Sequence, residues 1–245
     1  MISVPKIHTA AAAQESSLPD KISPAARQVI DQMIEKLGGE NFRRIRTLTT
    51  RGRFYNIAGG GTAGMLPFES KDAPPDKRRF SYGKSKPIIL INNGKQAWRL
   101  DRLGRGRQSE EEVRAWRLRT RYGLYHLLTR VINEPDILMV DAGSDFIDNV
   151  TVYVVEIIDA QQVKIKIFID KNRLLPVRIS YRLQHPRTRR WEDHALTYGN
   201  FKMLNGVLAP QRETRWRNGR RNAELFYNQI LFNLPIGERD FDPVR

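Results

Sequence analysis

The chain has 245 residues, 40% of them hydrophobic, and carries 42 Lys and Arg against 27 Asp and Glu for a formal net charge of +15. That is enough length and apolar content for one large β domain with a filled core, and no apolar run approaches the roughly 20 residues of a membrane-spanning helix. Cysteine is absent, which excludes disulfides, thiolate metal sites, cysteine nucleophiles and a lipidated N-terminal cysteine, while the basic balance suits a polyanionic partner such as membrane lipid, nucleic acid or an acidic glycan.

Residues 1–22 are expected to form a flexible N-terminal segment. The run MISVPKIHTAAAAQESS has one lysine and then small residues like the end of a secretory signal, but it has no apolar h-region. A truncated or misassigned signal and a plain flexible tail both fit. Residues 23–245 are expected to form a single domain, since composition does not break along them.

Ser23 followed by Pro24 predicts a helix start, an N-cap with proline at the first helical position. Ala26, Val29, Ile30, Met33, Ile34 and Leu37 then fall on one face, and Gly38 and Gly39 stop the helix. Its polar face mixes Asp31 and Glu35 with Arg27 and Lys36, so it is read as packing on its own domain and not as a basic membrane-surface helix.

From residue 45 the pattern is β, with strands predicted over 45–57, 63–70, 77–83, 87–92 and 96–100. Asn93-Gly94 is the strongest hairpin signal. The glycines Gly59, Gly60 and Gly61 lack a following GK[ST] and helix, so they are read as a strand link and not as a phosphate loop. Ser109 with Glu112 forms a capping box that opens a helix reaching about residue 128. This helix is rich in arginine, and Gly123 within it permits a bend.

Strands resume over 137–143, 149–158, 163–170, 175–184, 191–203, 207–216 and 220–231. Val163, Ile165, Ile167 and Ile169 alternate with polar residues, as do Leu175, Val177, Ile179, Tyr181 and Leu183, so these two runs form a hairpin with one apolar and one charged face. Asn205-Gly206 and Asn218-Gly219 mark further turns. The expected fold is mainly β with covering helices (α+β): a single antiparallel sheet of about 11 strands that curls because strand twist accumulates, leaving a concave face to be filled.

Signals for catalysis are weak. His126 has no nearby partner in sequence, and strand alternation lets Glu192 and His194 share a face while Asp193 points away, too few ligands for a metal. Asp141, Asp145 and Asp148 lack calcium-loop spacing. Neither a catalytic set nor a metal or cofactor is expected. Arginines and aromatics cluster at Arg43, Arg44 and Arg46, at Arg114 to Arg121 with Trp116, at Arg187, Arg189, Arg190 and Trp191, and at Arg212 to Arg221 with Trp216. Such clusters can bind phosphates and stack bases, yet no named nucleic-acid motif accompanies them. An apolar trough could instead hold an acyl chain at about 0.8 kcal/mol per buried methylene, or could be filled permanently by the helices.

The ordered features resemble the LolA/LolB-like superfamily of periplasmic outer-membrane lipoprotein carriers. The resemblance rests on the first amphipathic helix ending in LGGENFRRIRTLTTRGRF, the NNGKQAWRLD and FIDKNRLLPVRISYR hairpins, and YGNFKMLNGVLAPQRETRWRNGRR followed by FNLPIGERDFDP. It implies a half-barrel lidded by two or three helices, in a monomeric, periplasmic, non-enzymatic carrier of lipid or lipoprotein acyl chains. Within it Trp116, Leu124 and Leu127 are lid candidates for the cavity, and Trp98, Ile165, Ile167, Val177, Ile179 and Tyr181 are sheet candidates. Anionic membrane surfaces or envelope proteins are further partners it allows. The alternatives are a basic nucleic-acid-binding module and an envelope interaction domain with a plugged cavity.

Overall fold

Two periodicities, 3.6 and 2, lay out the molecule. The computed structural model describes residues 21–56 and 63–243; the segment 1–20 and the triple-glycine link lie outside them. Lys21 and Ile22, at the end of the segment expected to be flexible, are tied down: the Ser23 N–H donates to the Met139 carbonyl and the Met139 N–H to the Lys21 carbonyl, both at 2.8 Å.

Helix α1 (Pro24–Leu37) runs as predicted, with the Ser23 hydroxyl accepting from the Ala26 N–H at 3.4 Å. It buries Ala26, Ile30, Met33, Ile34 and Leu37, and each of the larger side chains contributes about 1.5–3 kcal/mol. Gly38 is required at its end: φ is +131°, and a Cβ would stand 2.3 Å from the Gly206 carbonyl oxygen. A short helix not foreseen, α2 (Glu40–Arg43), follows and buries Phe42.

The strands are β1 (Leu48–Asn56), β2 (Ala63–Ala73), β3 (Lys77–Tyr82), β4 (Ile88–Asn93), β5 (Gln96–Asp101) and β6 (Gly104–Arg107), then, after the lid segment, β7 (Leu138–Ile147) and β8 (Val150–Ile158). The remainder are β9 (Lys164–Asp170), β10 (Pro176–Gln184), β11 (Trp191–Leu204), β12 (Val207–Arg217) and β13 (Arg220–Phe232). All belong to one antiparallel sheet of 13 strands in the order β6-β5-β4-β3-β2-β1-β13-β12-β11-β10-β9-β8-β7. The count exceeds the expected 11 partly because β6, with sequence GRGR and all four residues exposed, has no apolar alternation to reveal it.

The first strand pairs with the last, so the free edges are β6 and β7, neighbours in sequence. The chain must cross from one edge to the other between them. It does so through α3 (Glu110–Arg121), α4 (Leu124–Thr129) and a 3-10 turn at Val131–Asn133. Those two helices are together about 27 Å long, whereas a flat sheet of this strand number would be about 58 Å wide. The sheet is curled, and the helices of the connection lie on its concave side, where α4 packs into the core. The single helix expected to reach residue 128 is in fact broken: Gly123 is extended, with φ −73° and ψ 153°, and heads α4.

Alternation sorts the side chains onto two faces. The main core joins α1, α2 and α4 to inward residues of β7–β12, including Ile157, Ile165, Ile167 and Ile179. An aromatic cluster of Phe54, Phe68 and Phe80 with Leu225 continues the concave face across β1–β3 and β13. On the opposite face, Val152, Val154 and Phe168 form a smaller cluster with Val177.

Candidate functional site

Between α3, α4 and the sheet lies a hollow of about 140 Å³. One wall is apolar, formed by Leu124, Leu196, Leu225 and the rings of Phe68 and Phe80; the Phe54–Phe80 and Phe68–Phe80 centroids are 5.9 and 5.6 Å apart. The other wall is charged. Arg78 pairs with Asp72 at 3.2 Å, and Arg215 with Glu213 at 2.7 Å. Arg119 of α3 lines the same hollow, with its Nε buried and unpartnered among the described residues. A second, 60 Å³ hollow shares Arg119, Leu196 and Arg215 and reaches Tyr181 and His194.

Helix α3 is held mainly by charge. Its capping box forms as predicted, and Trp116 is its one fully buried side chain. On the β5 side Glu112 receives Arg99 at 3.0 Å. On the other side Glu111 meets Arg217 and His185 at 3.2 Å each, and Arg114 meets Glu192 at 3.1 Å. At the break, Asp159, fully buried in the β8–β9 turn, receives Arg121 at 2.9 Å and the Tyr122 hydroxyl at 3.0 Å. Burial and then Asp159 push the Tyr122 phenol up.

The predicted cavity residues separate into three groups. Leu124 lines the larger hollow and Tyr181 the smaller. Leu127, Ile165, Ile167 and Ile179 are buried in the main core, while Trp116 is buried on α3 with its indole N–H unpartnered among the described residues. Trp98 and Val177 face the other way. Arg99 reaches α3, so by alternation Trp98 lies on the far face, stacked with Arg107 at 3.8 Å. A register shift between Pro176 and Arg178 turns Val177 into the outer cluster. Both are corrections to the expected lining.

Sequence reasoning missed the inward charges Asp72, Arg78, Glu213 and Arg215, because a charge on an alternating strand is normally read as solvated. The register supplies the signal: Ser70 pairs with Phe80, Asp72 with Arg78 and Glu213 with Leu225, which by alternation places these charges on the same face as the inward Phe80 and Leu225. Glu192 and His194 do share a face, at 3.4 Å, while Asp193 pairs with Arg182 at 3.3 Å on the other. Most of the arginine clusters are engaged: Arg43 with Glu35, Arg44 with Glu40, Arg212 and Arg221 with Glu224.

No family model matches the chain, and no curated protein does. Solved structures do. A DUF1329 family protein from Desulfovibrio piger superposes with a TM-score of 0.56 at 11% identity, covering 89% of this chain and 97% of that one. A LolA superfamily protein from Nitrosomonas europaea gives 0.55 at 12%, covering 88% and 96%. A domain described as outer-membrane lipoprotein-sorting from Vibrio parahaemolyticus gives 0.53 at 11%, covering 89% and 96%. With its curled antiparallel sheet and helical crossing, the chain has the LolA-like fold.

Proposed function

We propose that the protein is a monomeric periplasmic carrier that holds lipid or lipoprotein acyl chains on the concave face of the sheet, without catalysis. The observation that carries this reading is the fastening of α3: a helix over an aromatic wall, attached by ion pairs more than by packing. At about 140 Å³ the hollow is close in size to a cavity that accepts benzene, about 150 Å³, so a whole acyl chain is accommodated when α3 lifts. Several of the pairs are half-exposed, with side chains 33–38% accessible for Arg99–Glu112 and Arg217–Glu111, and such pairs contribute about 0–1 kcal/mol each. Ten buried methylenes supply on the order of 8 kcal/mol, enough to offset their rupture. The LolA-like fold supports the same reading.

The absence of cysteine makes the test clean. Glu111→Cys with His185→Cys, joined by a disulfide-containing bismaleimide, ties α3 to the residue following β10. Delipidated protein should take up a fluorescent fatty acid when untied, fail to when tied, and recover on reduction. Absence of uptake by the untied protein would overturn the carrier reading.

A further inference from the structure

The charged wall of the hollow is unbalanced. Three guanidinium groups, Arg78, Arg119 and Arg215, meet two carboxylates, Asp72 and Glu213. Both carboxylates are already taken, by Arg78 and Arg215, and Asp72 also receives the Ser70 hydroxyl. Arg119 is left over. It has no hydrogen-bond or ion-pair partner among the described residues, and its Nε is buried. Burial, then Arg215 and Arg78, pull it down to about 9, which still leaves it cationic at neutral pH.

Two phenols in the same hollow are likewise unspent. Among the described residues neither the Tyr125 nor the Tyr198 hydroxyl has a hydrogen-bond partner; the Tyr198 hydroxyl lies by the Leu124 backbone, with Glu213, Tyr227 and Tyr125 in its surroundings. Burial raises both phenols, so each remains a protonated donor. An unpaired buried cation costs free energy that a structural role does not return, and the donors around it match a carboxylate.

Resting on the carrier reading, we propose that the cargo is an acidic single-chain amphiphile whose carboxylate enters this hollow, with Arg119 as its counter-charge and the Tyr125 and Tyr198 hydroxyls as donors. The imbalance is one unit, which fits a monoanionic carboxylate better than a doubly charged phosphate. Phe68 and Phe80 line the hollow and belong to the aromatic cluster beyond it, so the hydrocarbon tail has a continuous apolar wall to follow.

Displacement of a fluorescent fatty acid from delipidated protein by dodecanoic acid, dodecanol and acetate tests this. Wild type should bind the acid about 10- to 100-fold more tightly than the alcohol and acetate far more weakly than either. Arg119→Met should bring the acid to the affinity of the alcohol without weakening the alcohol, and should raise the melting temperature of the empty protein, because the uncompensated charge is gone. Tyr125→Phe should weaken the acid several-fold and leave the alcohol unchanged. Equal binding of acid and alcohol, unaltered in both variants, would overturn the head-group assignment while leaving a carrier. Acetate binding as tightly as dodecanoic acid would make the site one for small carboxylates and overturn the amphiphile. Failure of both dodecanoic acid and dodecanol to bind would remove the carrier reading itself.

Discussion

Glu192 is 6% exposed and receives Arg114 at 3.1 Å, His194 at 3.4 Å and Arg217. Burial opposes its ionisation, but the hydrogen bonds from Arg217 and Arg114 prevail and hold the carboxyl at about 2 against an ordinary 4.5. A depressed folded-state pKa means that the stabilisation is complete above pH 4.5 and is lost as pH falls through about 2. Glu192→Gln should therefore cost about 1.5–3 kcal/mol at pH 7, less at pH 3, and almost nothing near pH 2. Urea midpoints across that range decide it; a pH-independent cost would show that shape and not charge is what matters. A different constraint acts at Gly38, where positive φ and the 2.3 Å approach to Gly206 make Gly38→Ala destabilising by more than about 1 kcal/mol. Gly199→Ala, at a strand position with nothing within 4 Å, should leave the thermal midpoint unlowered. Comparable losses in the two variants would contradict the steric account.

Among the elements, the break between α3 and α4 matters most, because it directs α3 across the hollow and drives α4 into the main core. Gly123 makes it: a Cβ there would stand 2.5 Å from the Arg119 carbonyl oxygen. Gly123→Ala must shift α3 against α4, costing about 1–3 kcal/mol and loosening the Tyr122 and Arg121 bonds to Asp159. Denaturant unfolding would show the loss, and an unchanged midpoint would mean the turn adapts freely. The sequence made Gly123 visible as a weak point but not as a break, since the tertiary anchors at Asp159 and Glu134 lie far from it in the chain. What was legible is local. Ser23-Pro24, the Ser109–Glu112 box and the Asn-Gly turns act within a few residues, and Asn205 and Gly206 both take the positive φ that such a turn requires. What was not legible depends on parity and partners. Alternation says that Trp98 and Arg99 face opposite ways without saying which is inside, and the irregularity beside Pro176 reverses the parity that Val177 would otherwise inherit.

At the scale of the whole molecule, a sheet that runs from β6 to β7 without closing leaves two kinds of helix on its concave side. One kind is fixed: α1 buries five residues, and the chain just before it bonds β7 through Met139. The other is fastened chiefly at its charges, α3 burying Trp116 alone. Local opening follows the least buried apolar surface, so the protein should open at α3 well before it unfolds. Hydrogen exchange followed by mass spectrometry should find the amides of α3 exchanging faster than those of α1 and of the β9–β10 hairpin. Raising ionic strength should widen the gap, because half-exposed pairs such as Arg99–Glu112 and Arg217–Glu111 are screened while the packing of α1 is not. A loaded chain should close it again, since the acyl tail adds apolar contact beneath α3. Equal protection of α3 and α1, insensitive to salt, would mean that the two open only by global unfolding, and a helix that moves only when the protein unfolds cannot serve as a lid.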